Sequence, residues 1–194
     1  MLPIRTALVS VFHKEGLDEV LALLAERGVT LMSTGGTQAY IEGLGLSVVK
    51  VEDVTGWPAL LGGRVKTLHP RVMGGILGRR EVEQDCVEMA AHDIPAIDLV
   101  VVDLYPFEET VASGADEAAV VEKIDIGGVA MVRAAAKNYH DVAVIACRND
   151  YARLAGWLRR QGACTTMAQR RELAARAFAL TAEYDRCIGA YFQE

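Results

Sequence analysis

Paired cysteines are missing from this sequence. Cys86, Cys147, Cys164 and Cys187 are scattered and never form C-x-x-C, which excludes the usual redox motif and the zinc ribbons. The four histidines, His13, His69, His92 and His140, show no H-x-x-x-H spacing, so no metal site is expected. No apolar run approaches the ~20 residues of a membrane helix. The opening Met-Leu-Pro-Ile-Arg lacks the long apolar core of a signal peptide. Excess positive charge is also absent: 20 Lys and Arg stand against 26 Asp and Glu, a net charge of −6. Sequence-independent nucleic-acid binding needs many phosphate contacts, so an acidic chain is a poor candidate for it. A few clustered cations can still hold one phosphate. The expectation is a soluble, cytoplasmic protein with reduced thiols and neither nucleic-acid nor membrane partners.

What is present is a globular composition. Of 194 residues, 52% are hydrophobic and 24% charged, enough for one core that buries roughly 70% of the unfolded surface. Five short, β-branched apolar runs recur, at 6–11 (TALVSV), 29–32 (VTLM), 46–51 (LSVVKV), 97–104 (IDLVVVDL) and 142–146 (VAVIA). Runs of this kind suit strands covered on both faces, as in a parallel sheet. Helical patterns lie between them, at 17–27, 37–44, 83–91, 118–123 and 129–138. The stretch 167–192 is helical throughout. Alternating strands and helices predict a doubly wound α/β sheet with residues 1–150 as its core and 151–194 as a helical tail packed on the same domain.

Ligands of open α/β sheets sit beyond the carboxyl ends of the strands, so the segments following the strands carry the interest. Ser33-Thr-Gly-Gly-Thr37 lies between a strand and a helix. Its glycines let backbone N–H groups converge at a helix start, and its hydroxyls add donors. It reads as a cradle for a monophosphate or as a glycine turn with a threonine cap. It is neither a P-loop nor a dinucleotide fingerprint. Arg64, Lys66, His69 and Arg71 form a basic loop bracketed by Gly62-Gly63 and Pro70, suited to an anion or to solvent. Asp125 sits between Ile124 and Ile126 before the double glycine 127–128. A straight helix from Asp125 to Lys137 would separate those two by about 18 Å. They can share a pocket only if 124–128 folds back. Tyr105 follows the purest strand and presents a phenol at the sheet's rim or fills the core.

Together these segments resemble the IMP cyclohydrolase domain, which in bifunctional purine-biosynthesis proteins accompanies a formyltransferase. The matching stretches are STGGT at 33–37, TGWP at 55–58, LGGRVKTLHP at 61–70, LYPF at 104–107, IDIGGVAMVRAAAKN at 124–138 and Tyr184-Asp185. The resemblance implies a methylglyoxal-synthase-like three-layer α/β/α fold with a five-stranded parallel sheet. It implies dehydrative ring closure of 5-formamidoimidazole-4-carboxamide ribotide to inosine monophosphate, with no cofactor. By resemblance, Lys66, Tyr105, Asp125 and Lys137 are the acid–base and oxyanion group, Lys137 being the family's proton donor and acceptor. The nucleotide is held by Lys14, Thr34, Gly35, Gly36, Thr37, Arg64, Val65, Lys66, Thr67, Asp125 and Ile126, with further contacts at Phe12, His13, Val102 and Asp103. Two of these places depart from the family. Phe12-His13 stands where the family has Ser-Asp, and Asp103 where it has Asn. An Asn amide can donate a hydrogen bond and an ionised Asp cannot, so an altered preference for the base or its side chain is open. The family's bifunctional members continue past the length of this chain, so formyl transfer is expected from a separate formyltransferase. Two other readings remain: a methylglyoxal-synthase-like lyase acting on a triose phosphate, and a non-catalytic purine-nucleotide-binding regulatory module. A homodimer is expected from the family and from a stripe in the tail, Ala177, Leu180, Tyr184, Ile188 and Tyr191, which would otherwise cover the chain's own sheet.

Overall fold

The computed structural model describes residues 1–193; Glu194, the last residue of the expected tail, lies outside them. The chain opens with β1 (Leu2–Pro3), β2 (Thr6–Val11), α1 (Leu17–Glu26), β3 (Thr30–Ser33), α2 (Gly35–Gly43), β4 (Val49–Lys50) and α3 (Val51–Thr55). It continues through α4 (Pro70–Leu77), α5 (Glu83–Ala91), β5 (Leu99–Asp103), α6 (Phe107–Ala112), α7 (Glu117–Glu122) and α8 (Gly127–Lys137). It ends with β6 (Ala143–Ile145), α9 (Tyr151–Gln161), β7 (Cys164–Thr165) and α10 (Met167–Tyr191). Five strands form one parallel sheet in the order β4-β3-β2-β5-β6. The five apolar runs are these five strands: the first matches β2 residue for residue, the second is shifted by one residue, and the other three are trimmed at their ends. The trimming is greatest in the third: 46–48 runs outside the ladder and Val51 already begins α3.

Burial explains the composition of the strands. Ala7, Leu8, Val9, Leu99, Val100, Val101, Ala143 and Ile145 are fully buried, because helices cover both faces of the sheet. On one face α1 packs against α9. On the other, α8 packs against α4 and α10. Leu154, Ala155 and Leu158 of α9 belong to the same core as the strands, so α9 is part of the layered fold. Four of the five residues of the expected α10 stripe pack within the chain: Ala177 is buried, Leu180 packs on the core, and the rings of Tyr184 and Tyr191 meet Phe107 edge-on at 6.2 and 5.8 Å, while Ile188 is half-buried. α10 starts with a capping box, in which the Thr166 hydroxyl accepts from Gln169 N–H and the Gln169 carboxamide oxygen accepts from Thr166 N–H.

One pairing was not expected from sequence. β1 and β7 form a two-stranded antiparallel ribbon, Leu2 opposite Thr165 and Pro3 opposite Cys164. Two-residue strands leave no periodicity to read.

Candidate functional site

The carboxyl ends of β2, β3 and β5 open into a cavity of about 730 Å³. Its floor is set by register: Val11 lies opposite Asp103, so β2 and β5 end together, and Ser33 lies opposite Val9, so β3 ends two residues earlier. This is where ligands of parallel sheets bind.

β3 delivers the cradle. Gly35 opens α2 with φ +57°, a conformation that favours glycine, and a β-carbon there would stand 3.0 Å from Lys66 Nζ. The hydroxyls nearby are already engaged, which corrects the expectation that they serve an anion. Ser33 Oγ donates to Val9 O at 2.7 Å, Thr37 Oγ1 donates to Val11 O at 2.9 Å and accepts from Val11 N–H, and Thr34 Oγ1 donates to Glu52 Oε1 at 3.2 Å. They tie β3 and α2 to their neighbours and fix the turn. The anion donors left are the first N–H groups of α2, which no helical turn can satisfy.

Cations surround the cradle. Lys14 Nζ donates to Val11 O at 2.9 Å and Phe12 O at 2.6 Å, which aims it across the end of β2. Lys66 leans over Gly35 and Gly63. Arg64 lines the cavity and pairs with Glu122 across its mouth. The rest of the basic loop turns elsewhere. His69 Nδ1 accepts from Arg71 N–H at the start of α4, and Arg71 Nη1 donates to Val54 O.

Opposite stands an acid. Residues 124–126 do not continue α8, so Asp125 bends back and its Oδ1 accepts from Gly128 N–H at 2.7 Å. Gly128 is glycine because the carboxylate lies where a side chain would begin: a β-carbon there would be 2.8 Å from Asp125 Cγ. Burial raises the Asp125 carboxyl above its usual range, the N–H groups of Gly128 and Tyr105 pull it down, and the Asp103 charge pushes it up again. Tyr105, at the rim as one of the two sequence readings had it, lines the cavity and is raised by burial and then by the Asp125 and Glu122 charges.

Thirteen of the expected positions line one cavity: Phe12, Lys14, Thr34, Gly35, Gly36, Thr37, Arg64, Lys66, Thr67, Asp103, Tyr105, Asp125 and Ile126. Four do not. Val65 is exposed, Val102 is buried in β5, and His13 stands behind Asp103. Lys137 is exposed at the far end of α8, about 15 Å of helix from Gly127. The turn at 124–128 bends Asp125 back onto α8 as a cap and does not bring Lys137 into this cavity.

Lys123 was missed. It lines the cavity with its Nζ 5.1 Å from the Phe12 ring and 5.4 Å from the Tyr105 ring, two rings that meet edge-on. Tyr184 was quoted only as part of a motif. Its phenol donates to Lys123 O at 2.9 Å and accepts from Asp125 N–H at 2.9 Å, so α10 clamps the loop that carries both side chains. Burial lifts this phenol to about 12, so it keeps its proton.

Residues 16–130 match the MGS-like domain family, and 135–194 match the AICARFT/IMPCHase bienzyme family. The chain belongs to the MGS-like domain family. It is 56% identical over 97% of its length to the bifunctional purine biosynthesis protein PurH of Bacteroides thetaiotaomicron, and 50% identical over 100% to that of Rhodopirellula baltica. It spans 37% of the length of each of these relatives. A solved structure titled "Crystal structure of ForH" superposes with a TM-score of 0.86 at 36% identity, covering 97% of this chain and 96% of that one. The MGS-like fold expected from the sequence, with its five-stranded parallel sheet, is therefore the fold observed. Among the described residues no helix is long and apolar enough to cross a membrane.

Proposed function

We propose that this chain is an IMP cyclohydrolase: it closes the ring of 5-formamidoimidazole-4-carboxamide ribotide, with loss of water, to give inosine monophosphate. The observation that carries the reading is the meeting, in one cavity, of a phosphate cradle with Lys66 and a half-buried carboxylate of raised pKa, Asp125. The likeness to bifunctional purine biosynthesis proteins supports it.

The chemistry asks for these groups. The carboxamide nitrogen is a weak nucleophile, and it must lose a proton as it attacks the formyl carbon. Asp125, whose carboxyl burial raises above its usual range, accepts that proton. The carbonyl oxygen gains negative charge as the C–N bond forms, and Lys66 and the Tyr105 hydroxyl stabilise it. That oxygen takes up protons and leaves as water, and loss of the second nitrogen proton restores the aromatic ring. The backbone N–H groups of 35–37, with Lys14 and Arg64, hold the phosphate and orient the reacting atoms. No step here uses Lys137. The formyl group would be supplied by a separate formyltransferase, and self-association is a separate proposal that now rests on the resemblance alone, since the tail stripe packs inward.

The test is a spectroscopic ring-closure assay with the formylated ribotide, run beside a methylglyoxal-release assay with dihydroxyacetone phosphate. Ring closure by the wild type, with Lys66→Ala lowering kcat by about 10²–10⁴, supports the reading. Methylglyoxal release without ring closure would replace it with the lyase, and tight nucleotide binding with neither reaction would replace it with a regulatory module.

A further inference from the structure

Three residues, Phe12, His13 and Asp103, set this chain apart from the family pattern, and the structure joins two of them through one carboxylate. Asp103 ends β5 and His13 follows β2, and a single carboxylate oxygen holds them together. Asp103 Oδ2 accepts from the His13 backbone N–H at 2.8 Å and lies 2.7 Å from His13 Nδ1. The Asp103 carbonyl also accepts from Phe12 N–H at 3.2 Å. Beside a carboxylate the ring nitrogen carries the proton, so Oδ2 receives two donors from one residue.

This clamp leaves Oδ1. It has no hydrogen-bond partner among the described residues, and Asp103 lines the cavity whereas His13 does not. The sheet order places Asp103 two strands from Ser33, about 10 Å along the sheet at ordinary strand spacing. The phosphate cradle begins directly after Ser33. An occupant with its phosphate on the cradle therefore has its other end near Asp103.

We infer that Asp103, fixed by His13, is a specificity-determining acceptor that reads an N–H donor on the heterocycle of a bound nucleoside monophosphate. The inference rests on the purine-nucleotide reading above and names how this chain selects among such nucleotides. An ionised carboxylate only accepts, so it favours a heterocycle that presents N–H and opposes one that presents a lone pair.

The clamp makes the idea testable, because it dictates what an amide would do. In Asp103→Asn the two His13 donors still require an oxygen. The amide oxygen stays with His13 and the NH₂ turns to the cavity, so an acceptor becomes a donor. Inosine and adenosine monophosphates carry opposite patterns: N1–H and O6 in the first, a bare N1 and N6–H₂ in the second. Whichever of the two positions faces Asp103, the variant should reverse the preference. Loss of the negative charge shifts both nucleotides alike and cancels in their ratio.

Calorimetric titrations with inosine monophosphate, adenosine monophosphate and ribose 5-phosphate decide the matter. The wild type should separate the two nucleotides by about ten-fold or more, the cost of facing a buried polar group with the wrong partner. Asp103→Asn should invert the ranking, while ribose 5-phosphate, which has no heterocycle, shows only the common shift from the lost charge. His13→Ala should narrow the ratio without inverting it, since the backbone N–H still holds Oδ2, and His13→Gln should restore it. Equal affinities in the wild type, or an unchanged ranking in Asp103→Asn, would overturn the assignment of Asp103 alone. Binding of ribose 5-phosphate with no purine nucleotide bound would overturn both this assignment and the purine reading on which it rests.

Discussion

Gly128→Ala puts one methyl group against the carboxylate on which the proposed chemistry turns. A β-carbon at 128 would lie 2.8 Å from Asp125 Cγ and 2.9 Å from Oδ1, against an ordinary separation of about 3.5–4.0 Å. One of the two must yield by nearly an ångström. Gly128 is buried near the start of α8, whose next turns pack Met131 and Val132 into the core, so the carboxylate is the part that moves. Its rotation breaks the bond to Gly128 N–H, a capping interaction of about 1 kcal/mol. Residual crowding adds about 1–3 kcal/mol, and the better helix propensity of Ala returns about 1 kcal/mol. The net loss is about 1–3 kcal/mol, or a fall in Tm of about 2–12 °C for a domain of this size. Activity should suffer more than stability. A displacement of about 1 Å in a reacting group costs on the order of 10² in rate, which is about 2.7 kcal/mol in the transition state. Thermal unfolding and the ring-closure assay are run on the same preparation. A variant that melts lower yet turns over at the wild-type rate would show that the position of Asp125 does not matter to the reaction.

Gly36→Ala makes the opposite bargain: nothing lies within 4 Å of a β-carbon there, so the helix should gain about 0.5–1 kcal/mol, yet the methyl enters the cradle and should weaken inosine monophosphate ten-fold or more by titration. Asp125→Asn keeps the acceptor for Gly128 N–H and removes the charge. Because the folded-state pKa is raised, the ionised carboxyl costs stability above its unfolded pKa and that cost disappears as pH falls; the variant should melt at or above wild type at pH 7, the difference should close toward pH 4, and kcat should drop by about 10²–10⁴. The wild-type rate should itself fall as acid protonates Asp125, which a pH–rate profile reads directly. Tyr184→Phe strands Lys123 O and Asp125 N–H, costing about 1–3 kcal/mol by denaturant titration and lowering kcat with inosine monophosphate affinity nearly unchanged. Sedimentation at micromolar concentration checks the dimer, and a clean, active monomer would confine the site to one chain.

The central strands were legible because they are buried on both faces, which leaves a nearly uninterrupted apolar run, whereas the edge strand β4 is exposed and was located least well. The phosphate end was legible because its requirements are local: Gly35 needs its left-handed φ, and the N–H groups of 35–37 are neighbours in sequence. What the local pattern misassigned is the use of its hydroxyls. Thr34 and Thr37 look like anion donors beside two glycines, but their partners are Glu52, 18 residues on, and Val11, 26 residues back. The acid end was legible only as a list. Asp125 could be picked out before its double glycine, and the geometry that makes it useful comes from Tyr184, 59 residues away on α10. Lys123 and Phe12 meet only because α7 ends where β2 does, which no spacing within either segment encodes.

The same limit explains the Asp103 and His13 departures. Taken singly, each removes a group that the family pattern uses, and each reads as a loss. They are 90 residues apart, and only the pairing of β2 with β5 brings them to one oxygen. Together they replace a donor at the cavity wall with an oriented acceptor. That exchange leaves the cradle and Lys66 in place and reaches Asp125 only through the Asp103 charge, so it bears first on which nucleotide is held. A change of preference at Asp103 and a loss of turnover at Asp125 are thus separable quantities. The two carboxylates share a cavity but no hydrogen-bond partner, and they are coupled through charge: Asp103→Asn should lower the Asp125 pKa and shift the acid limb of the pH–rate profile to lower pH, whereas the inosine-to-adenosine monophosphate ratio reads Asp103 alone.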